Sequence, residues 1–182
     1  AVSTMLKAEP VEPLPALYDS HCHALAAAAA EEEEEAHDVS GVCLISAGES
    51  DWSVAAAAEG RKGGRKYAIG VHPWYAHTQD DGWEDRLRSA LDNDANAIVG
   101  ETGLDRARLE ECPWEGQVHA FTTQLRLASE LKRPLVVHCV RADGPMIDLL
   151  NEEASSGSLP PVVIMHAYGG SAETATSLLR LA

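Results

Sequence analysis

The sequence Tyr18-Asp19-Ser20-His21-Cys22-His23 lies near the start of the chain and sets two histidines two residues apart. In a β-strand alternate side chains share one face, so Asp19, His21 and His23 would all point the same way. Two imidazoles held on a rigid strand converge on one point and can bind a single divalent metal ion. The stretch therefore predicts a strand that carries one half of a metal site.

Further strand-like apolar runs follow, and segments with helical spacing separate them. The predicted strands after the first are residues 39–47, 66–74, 97–105, 135–140 and 162–166. The predicted helices are residues 51–59, 83–91, 117–131, 146–150 and 173–181. Strands that alternate with helices in this way indicate parallel strands joined by helical crossovers.

The polar signatures of these runs fall at the carboxyl ends of the strands, where a (β/α) barrel builds its active site. An open doubly wound sheet is the alternative, but it favours a glycine-rich phosphate loop after the first strand, and this chain has His-x-His there. We therefore predict an α/β protein, a TIM-type barrel of the amidohydrolase-like kind. It is incomplete, with about six of the eight β/α units of that fold.

The chain divides into a short lead-in and one domain. Residues 1–15 contain three prolines and are predicted to be irregular. Residues 16–182 form the partial barrel, with a low-complexity insertion of alanine and glutamate at residues 26–36. The run of glutamates in that insertion is expected to be a solvated helix or a mobile segment, because adjacent like charges repel.

Charge and composition restrict the partners. The net charge is −15, which argues against nonspecific attraction of nucleic acid to a basic surface. A nucleic-acid substrate would have to be met locally, by metal ions that reverse the charge of an acidic pocket. The 4 cysteines show no CxxC spacing and indicate a reducing compartment. Without an apolar signal core or a long apolar run, we expect no membrane contact and a location in the cytoplasm or the nucleus.

The remaining candidates also stand at strand ends. Glu101 could equally cap a helix or pair with an arginine, and His138 and His166 could each be hydrogen-bonded core histidines. Together with His21 and His23, however, the two histidines form nitrogen-rich groups on either side of the Glu101 carboxylate. Such a set fits a pair of divalent ions about 3.5–4 Å apart, as in two-metal hydrolases. The histidines outside strand ends, His37, His77 and His119, are expected at the surface.

Five stretches in order resemble the motifs of the TatD family of metal-dependent deoxyribonucleases. They are Asp19–His23, Gly70–Trp74, Gly100–Asp105 (Gly-Glu-Thr-Gly-Leu-Asp), Pro134–Ala142 and Met165–Ser171. The Gly100–Asp105 stretch is the most specific of these, and the last two look most like the eukaryotic TatD-related branch. The resemblance covers nearly all of residues 16–182.

The resemblance implies a role for each candidate residue. His21 and His23 would bind a first metal ion, and Glu101 would bridge both ions and is the expected catalytic residue. His138 and His166 would bind the second ion. His72 and Arg141 would lie at the rim as substrate-binding contacts to phosphate. The cofactors implied are two divalent cations, and such ligands accept Zn²⁺, Mg²⁺, Mn²⁺ or Co²⁺.

The resemblance also implies the reaction, a 3'-5' exonuclease-like hydrolysis of phosphodiester bonds in DNA by a water that two metals activate. The family completes its first metal site with an aspartate in a Glu-Thr-Asp-x-Pro motif at strand eight, and this chain has no such motif. Either this is a piece of such a hydrolase, or it is a metal-binding relative with weak or no activity that self-associates through open sheet edges. Another phosphoesterase or amidohydrolase on the same barrel is the third reading, and the Gly100–Asp105 motif speaks against it.

Overall fold

The computed structural model describes residues 17–23, 39–57 and 66–181. The predicted irregular lead-in at residues 1–15, the Ala/Glu insertion at 26–36 with His37 beside it, and the end of the helix predicted over residues 51–59 lie outside the described residues. The division into lead-in and barrel therefore stays a prediction.

Six strands within these ranges form one parallel sheet in the order in which they occur along the chain. They are β1 Leu17–His23, β2 Val39–Ile45, β3 Lys66–Ile69, β4 Ile98–Asp105, β5 Leu135–Val140 and β6 Val163–Met165. Because every strand runs the same way, all carboxyl ends meet at one edge of the sheet. The predicted incomplete barrel is confirmed as a curled, open array of six strands with helices between them.

Five helices follow the strands near the positions that the spacing predicts, with ends that differ by a few residues. They are α1 Trp52–Ala57, α2 Trp83–Asn93, α3 Trp114–Glu130, α4 Asp143–Ser155 and α5 Ala172–Leu179. Three short 3₁₀ segments, Glu49–Asp51, Pro73–Thr78 and Arg106–Arg108, follow β2, β3 and β4. Each of these 3₁₀ segments lies at the carboxyl edge of the sheet.

The third strand is shorter than predicted. The apolar run predicts a strand over residues 66–74, but β3 ends at Ile69, and a 3₁₀ helix occupies Pro73–Thr78. Proline fixes φ at a helical value and is favoured in a first helical turn, where its missing N–H costs nothing. The chain therefore turns at His72 and carries that side chain inward.

The core lies between the sheet and the helices, where α3 supplies the fully buried Phe121 and Leu125. Two glutamines of α3 are also fully buried. Gln124 accepts from the N–H of Val71 and donates to the Val71 carbonyl and the Thr102 hydroxyl. Two helical turns earlier, Gln117 makes the equivalent pair of bonds with the backbone of Asp105. The two glutamines thus attach α3 to the ends of β3 and β4.

The outer strands of the sheet carry exposed apolar side chains. Leu17 and Tyr18 of β1 are 60% and 68% exposed, and Ile164 of β6 is 43% exposed. Each of these strands pairs with one neighbour only among the described residues. None of the described helices is long and apolar enough to cross a membrane.

Candidate metal centre

Glu101 occupies the middle of the carboxyl edge, on β4, and is 1% exposed. One carboxylate oxygen, Oε2, faces β1, where His21 Nε2 lies at 3.2 Å and His23 Nε2 at 3.9 Å. The other oxygen, Oε1, faces β5 and the turn after β3, where His138 Nδ1 lies at 3.2 Å and His72 Nε2 at 4.0 Å. One buried carboxylate therefore separates two pairs of imidazoles.

The donor atoms fall into two groups that could hold a metal ion. The first is His21, His23 and Glu101, and the second is His72, Glu101 and His138, with the donor atoms of each group within 4.8 Å of one another. Glu101 is common to both. The structure thus brings together four of the five predicted metal ligands, and it adds His72 to the cluster.

His72 faces the centre with its Nε2, the same atom that counts it in the second donor group. Its Nδ1 accepts the backbone N–H of Trp74 at 3.2 Å, so the neutral ring carries its proton on Nε2, the nitrogen that faces Glu101 and His138. Burial lowers the pKa of His72 to about 4, which keeps the ring neutral. At 5% exposure it lies deeper than the rim position that was expected for it.

The two ring nitrogens of His138 face two different carboxylates. Nε2 lies 3.2 Å from Oδ2 of Asp105, and Nδ1 lies 3.2 Å from Oε1 of Glu101. Asp105 is itself fixed, since the indole N–H of Trp74 donates to Oδ2 at 2.7 Å and the N–H of Ala107 donates to Oδ1. A carboxylate on Nε2 favours the tautomer with a proton there, which leaves the Nδ1 lone pair directed at Glu101.

A glycine allows β5 to approach β4 closely enough for these contacts. Gly103 has φ +149° and pairs directly with His138 across the two strands. A Cβ at this position would lie 1.9 Å from the carbonyl oxygen of His138. No side chain fits in that space, so the close approach of the His138 backbone requires glycine.

His166 follows the last residue of β6 and lies inside the centre without joining either donor group. Its ring stacks on the ring of His21, with centroids 3.4 Å apart and planes 12° apart. Burial, and then the neighbouring His21, lower the pKa of His166. This contact sets His166 beside the first group, whereas the resemblance assigns it to the second ion, so its ligand role remains a prediction.

The remaining predicted site residue, Arg141, is exposed and follows β5 directly, with φ +53°. Val140 and Asp105 are paired across β5 and β4, so Arg141 and Arg106 each come one residue after this pair. The predicted role of Arg141 in substrate binding stays a prediction. His77 and His119, expected at the surface, are both exposed.

The electrostatics of the centre favour a bound cation. Burial works against the charged form of Glu101, but contacts with His138 and His21 outweigh it and hold the pKa of Glu101 well below its usual value. Burial also works against protonated His138, yet Glu101 and Asp105 raise the pKa of this histidine. In the metal-free protein a proton on His138 Nδ1 can therefore neutralise the carboxylate, and a metal ion would take its place.

A second observation fits a metal in the first group. Nε2 of His21 is buried and has no hydrogen-bond partner, although it lies 3.2 Å from Glu101. The distance is short but the geometry is not that of a hydrogen bond. A buried polar atom without a partner carries a free-energy cost of about 1–3 kcal/mol, and metal ligation would remove it. The residues present thus fit a metal on both sides of Glu101.

Asp105 and Trp74 take part in the centre, and sequence reasoning assigned neither of them a role. The signal for Asp105 was present, because Glu101, Gly103 and Asp105 alternate along one strand and so share a face. Trp74 has no such signal, since its contact with Asp105 depends on the 3₁₀ turn after β3.

The chain is similar to known proteins over most of its described length. The family model described as TatD related DNase matches residues 18–182. A "3'-5' ssDNA/RNA exonuclease TatD" of Yersinia pseudotuberculosis is 34% identical over 141 residues, which are 76% of this chain and 52% of that protein. The "3'-5' RNA nuclease TATDN2" of Homo sapiens is 32% identical over 115 residues, 62% of this chain and 14% of that protein.

Solved structures show the same fold. The TatD homologue YjjV from Escherichia coli K12 superimposes with a TM-score of 0.78 at 22% identity, covering 91% of this chain and 65% of that one. A TatD family hydrolase from Entamoeba histolytica gives a TM-score of 0.75 at 19% identity, covering 91% and 62% of the two chains. The chain spans about half the length of the bacterial relative above. With the ordered motifs and the family match over residues 18–182, the chain belongs to the TatD related DNase family.

Proposed function

We propose that this chain carries the metal centre of a 3'-5' exonuclease that hydrolyses phosphodiester bonds in DNA or RNA. The observation that carries the proposal is Glu101, whose two oxygens face separate groups of imidazoles. A bridging carboxylate of this kind belongs to sites that hold two metal ions. The relatives named as TatD 3'-5' exonucleases support the choice of reaction and substrate.

In this proposal His21, His23 and Glu101 would hold the first divalent ion, and Glu101, His138 and His166 would hold the second. When bound, the two ions would lower the pKa of a water and neutralise charge on the phosphoryl group. Zn²⁺, Mn²⁺, Co²⁺ and Mg²⁺ all suit nitrogen and oxygen ligands of this kind.

The other residues of the centre orient these groups and contact substrate. Asp105 holds the proton on Nε2 of His138, so that Nδ1 is free to bind. His72 presents its Nε2–H to the centre and can donate to a phosphate oxygen, and Arg141 can reach a phosphate from the surface. The burial of Glu101 and His72 limits their contact with bulk water, which strengthens the electrostatic interactions that they make.

A nuclease assay tests the proposal. The chain is incubated with 5'-labelled single-stranded DNA and Mn²⁺, with and without added formate, and products are resolved by length. We expect slow, metal-dependent shortening from the 3' end that formate accelerates, since a small carboxylate can stand in for the aspartate that the family's last motif supplies. Glu101→Ala should abolish the shortening.

Two outcomes would contradict the proposal. One is the absence of metal-dependent cleavage under every condition, and the other is equal cleavage by the Glu101→Ala variant. Fast cleavage without formate would contradict only the expected need for the additional carboxylate.

We also propose that the chain self-associates through its outer strands. The exposed apolar residues of β1 and β6, together with backbone groups that have no neighbouring strand among the described residues, support this. Unpaired strand edges are a template for pairing with another chain.

A further inference from the structure

Two arginines lie directly on tryptophan rings beside the metal centre. In the 3₁₀ segment after β4, the guanidinium carbon of Arg108 lies 4.3 Å from the ring centroid of Trp74, and that of Arg106 lies 4.9 Å from the ring centroid of Trp114. Both arginines are exposed and both tryptophans are half-buried. A guanidinium held over an aromatic face is restrained in orientation while its outer face stays open.

These two arginine–tryptophan pairs, which we call the arginine layer, are connected to the metal centre through ring contacts and a hydrogen bond of Trp74. The ring of Trp74 lies 6.3 Å from the ring of His138, and its indole N–H donates to the same Asp105 oxygen that His138 contacts. The guanidinium of Arg108 is therefore one aromatic ring away from a proposed metal ligand. Asp105 and Val140 pair across β4 and β5, and they are followed directly by Arg106 and Arg141, respectively. Arg141 is therefore a third arginine at the same edge of the sheet.

The positive charge of this layer is available to an external anion. Neither Arg106 nor Arg141 forms an ion pair with a carboxylate among residues 17–23, 39–57 and 66–181. Arg108 pairs at 2.8 Å with Glu111, but both side chains are largely exposed, and such surface pairs contribute little. In a chain of net charge −15, this local group of cations gives a polyanion a positively charged approach to the centre.

We propose that Arg106 and Arg108, held over Trp114 and Trp74, bind the backbone phosphates of a single-stranded nucleic acid and guide it to the Glu101 centre. The outer guanidinium faces also offer a plane on which an unpaired base can stack, which a duplex with its bases already stacked cannot use. The inference rests on the proposed function, since it names the part of the substrate that the arginine layer contacts.

Binding in the absence of metal tests the inference without any cleavage. Fluorescence anisotropy of a labelled oligothymidylate is measured in EDTA with the full chain, over a series of KCl concentrations. Replacing both arginines (Arg106→Ala with Arg108→Ala) should weaken binding roughly tenfold at low salt. The slope of log K against log salt should fall by about 0.7 for each phosphate that the variant no longer neutralises.

Two matched variants separate phosphate contact from other effects. Arg88→Ala removes an arginine whose side chain is exposed to 43%, close to the 46% of Arg108, and whose partner is Glu130 on the helical side of the molecule, and it should change neither affinity nor slope. The double change Arg106→Lys with Arg108→Lys keeps both charges and should keep the slope. A duplex of the same sequence should bind more weakly than the single strand.

The inference is wrong if the alanine double variant binds with the slope and affinity of the unaltered chain, or if Arg88→Ala weakens binding equally. It is also wrong if the lysine variant loses the slope, or if duplex binds as well as single strand. Failure of the proposed function looks different: the arginine-dependent binding would persist while no metal supports cleavage.

Discussion

Asp105 faces Nε2 of His138 and favours a proton on that nitrogen. Its Oδ2 lies 3.2 Å from His138 Nε2, and Trp74 and Ala107 hold the carboxylate in place with two further hydrogen bonds. Burial opposes the charged form of Asp105, but these hydrogen bonds outweigh it and lower its pKa. A carboxylate that is ionised and fixed in this way makes His138 a better ligand through Nδ1.

Replacing Asp105 by Asn should weaken one of the two metal sites. The amide keeps the shape but can turn its NH₂ toward Nε2, which moves the proton to Nδ1 and blocks ligation. We expect the apparent affinity of the second site to fall roughly 10–100-fold, the range that such outer partners contribute. Calorimetric titration of the metal-free chain with Zn²⁺ measures this.

The exposed helical residue Asp148 supplies the control, because Asp148→Asn changes the same charge away from the centre. A positioning role requires that the site containing His21 and His23 keeps its affinity in Asp105→Asn. Equal weakening of both sites would indicate general damage to the fold, and an unchanged titration would show that Asp105 does not position His138.

Among the elements, α3 shows which features of a helix could be predicted from the sequence and which could not. The residue spacing predicts a helix over residues 117–131, and the structure confirms a helix there, Trp114–Glu130, with Phe121 and Leu125 on its buried face. Helical spacing places Gln117 and Gln124 on the same face as Phe121, but their burial could not be predicted, because a polar residue on a helix is ordinarily expected in solvent. Their burial depends on backbone groups of β3 and β4 that only the tertiary fold brings within reach.

The turn after β3 is a second feature that could be predicted only in part from the sequence. An apolar run up to residue 74 predicts a strand, but the proline at position 73 begins a 3₁₀ helix and moves His72 inward. The candidate residues at strand ends could be predicted because parallel strands share one carboxyl edge. Which nitrogens face which oxygens could not, since it depends on side-chain rotamers and on the short segments that follow the strands.

The outer strands β1 and β6 give a prediction at the scale of elements. A lysine at Ile164 should block edge pairing, since a charged side chain on an outer strand opposes association. We expect the unaltered chain to show concentration-dependent dimers in sedimentation velocity, and Ile164→Lys to remain monomeric at the same concentrations.

Leu109 provides the comparison, because it is exposed to nearly the same extent, 42% against 43%, and lies outside the outer strands. Leu109→Lys should leave the association unchanged. A chain that is monomeric at every concentration, or one that Leu109→Lys dissociates equally well, would contradict association through the edges.

For the molecule as a whole, a strongly acidic chain brings five of its 8 histidines and three of its arginines to one edge of the sheet: His21, His23, His72, His138, His166, Arg106, Arg108 and Arg141. The net charge of −15 keeps polyanions away from most of the surface, while the carboxyl edge collects the groups that bind cations and phosphates. The order of the strands explains this, because each β/α unit adds its next loop to the same edge. Local sequence motifs far apart in the chain thus become one site.

The metal content of the chain tests the central claim, that Glu101 joins two metal sites, most directly. After exposure to Zn²⁺ and dialysis, elemental analysis should find about two ions per chain in the unaltered protein. The double change His21→Ala with His23→Ala should remove about half of the metal, Glu101→Ala should lower the occupancy of both sites, and His119→Ala, at an exposed histidine, should change nothing. Unchanged metal content after the double histidine change or after Glu101→Ala would contradict the claim.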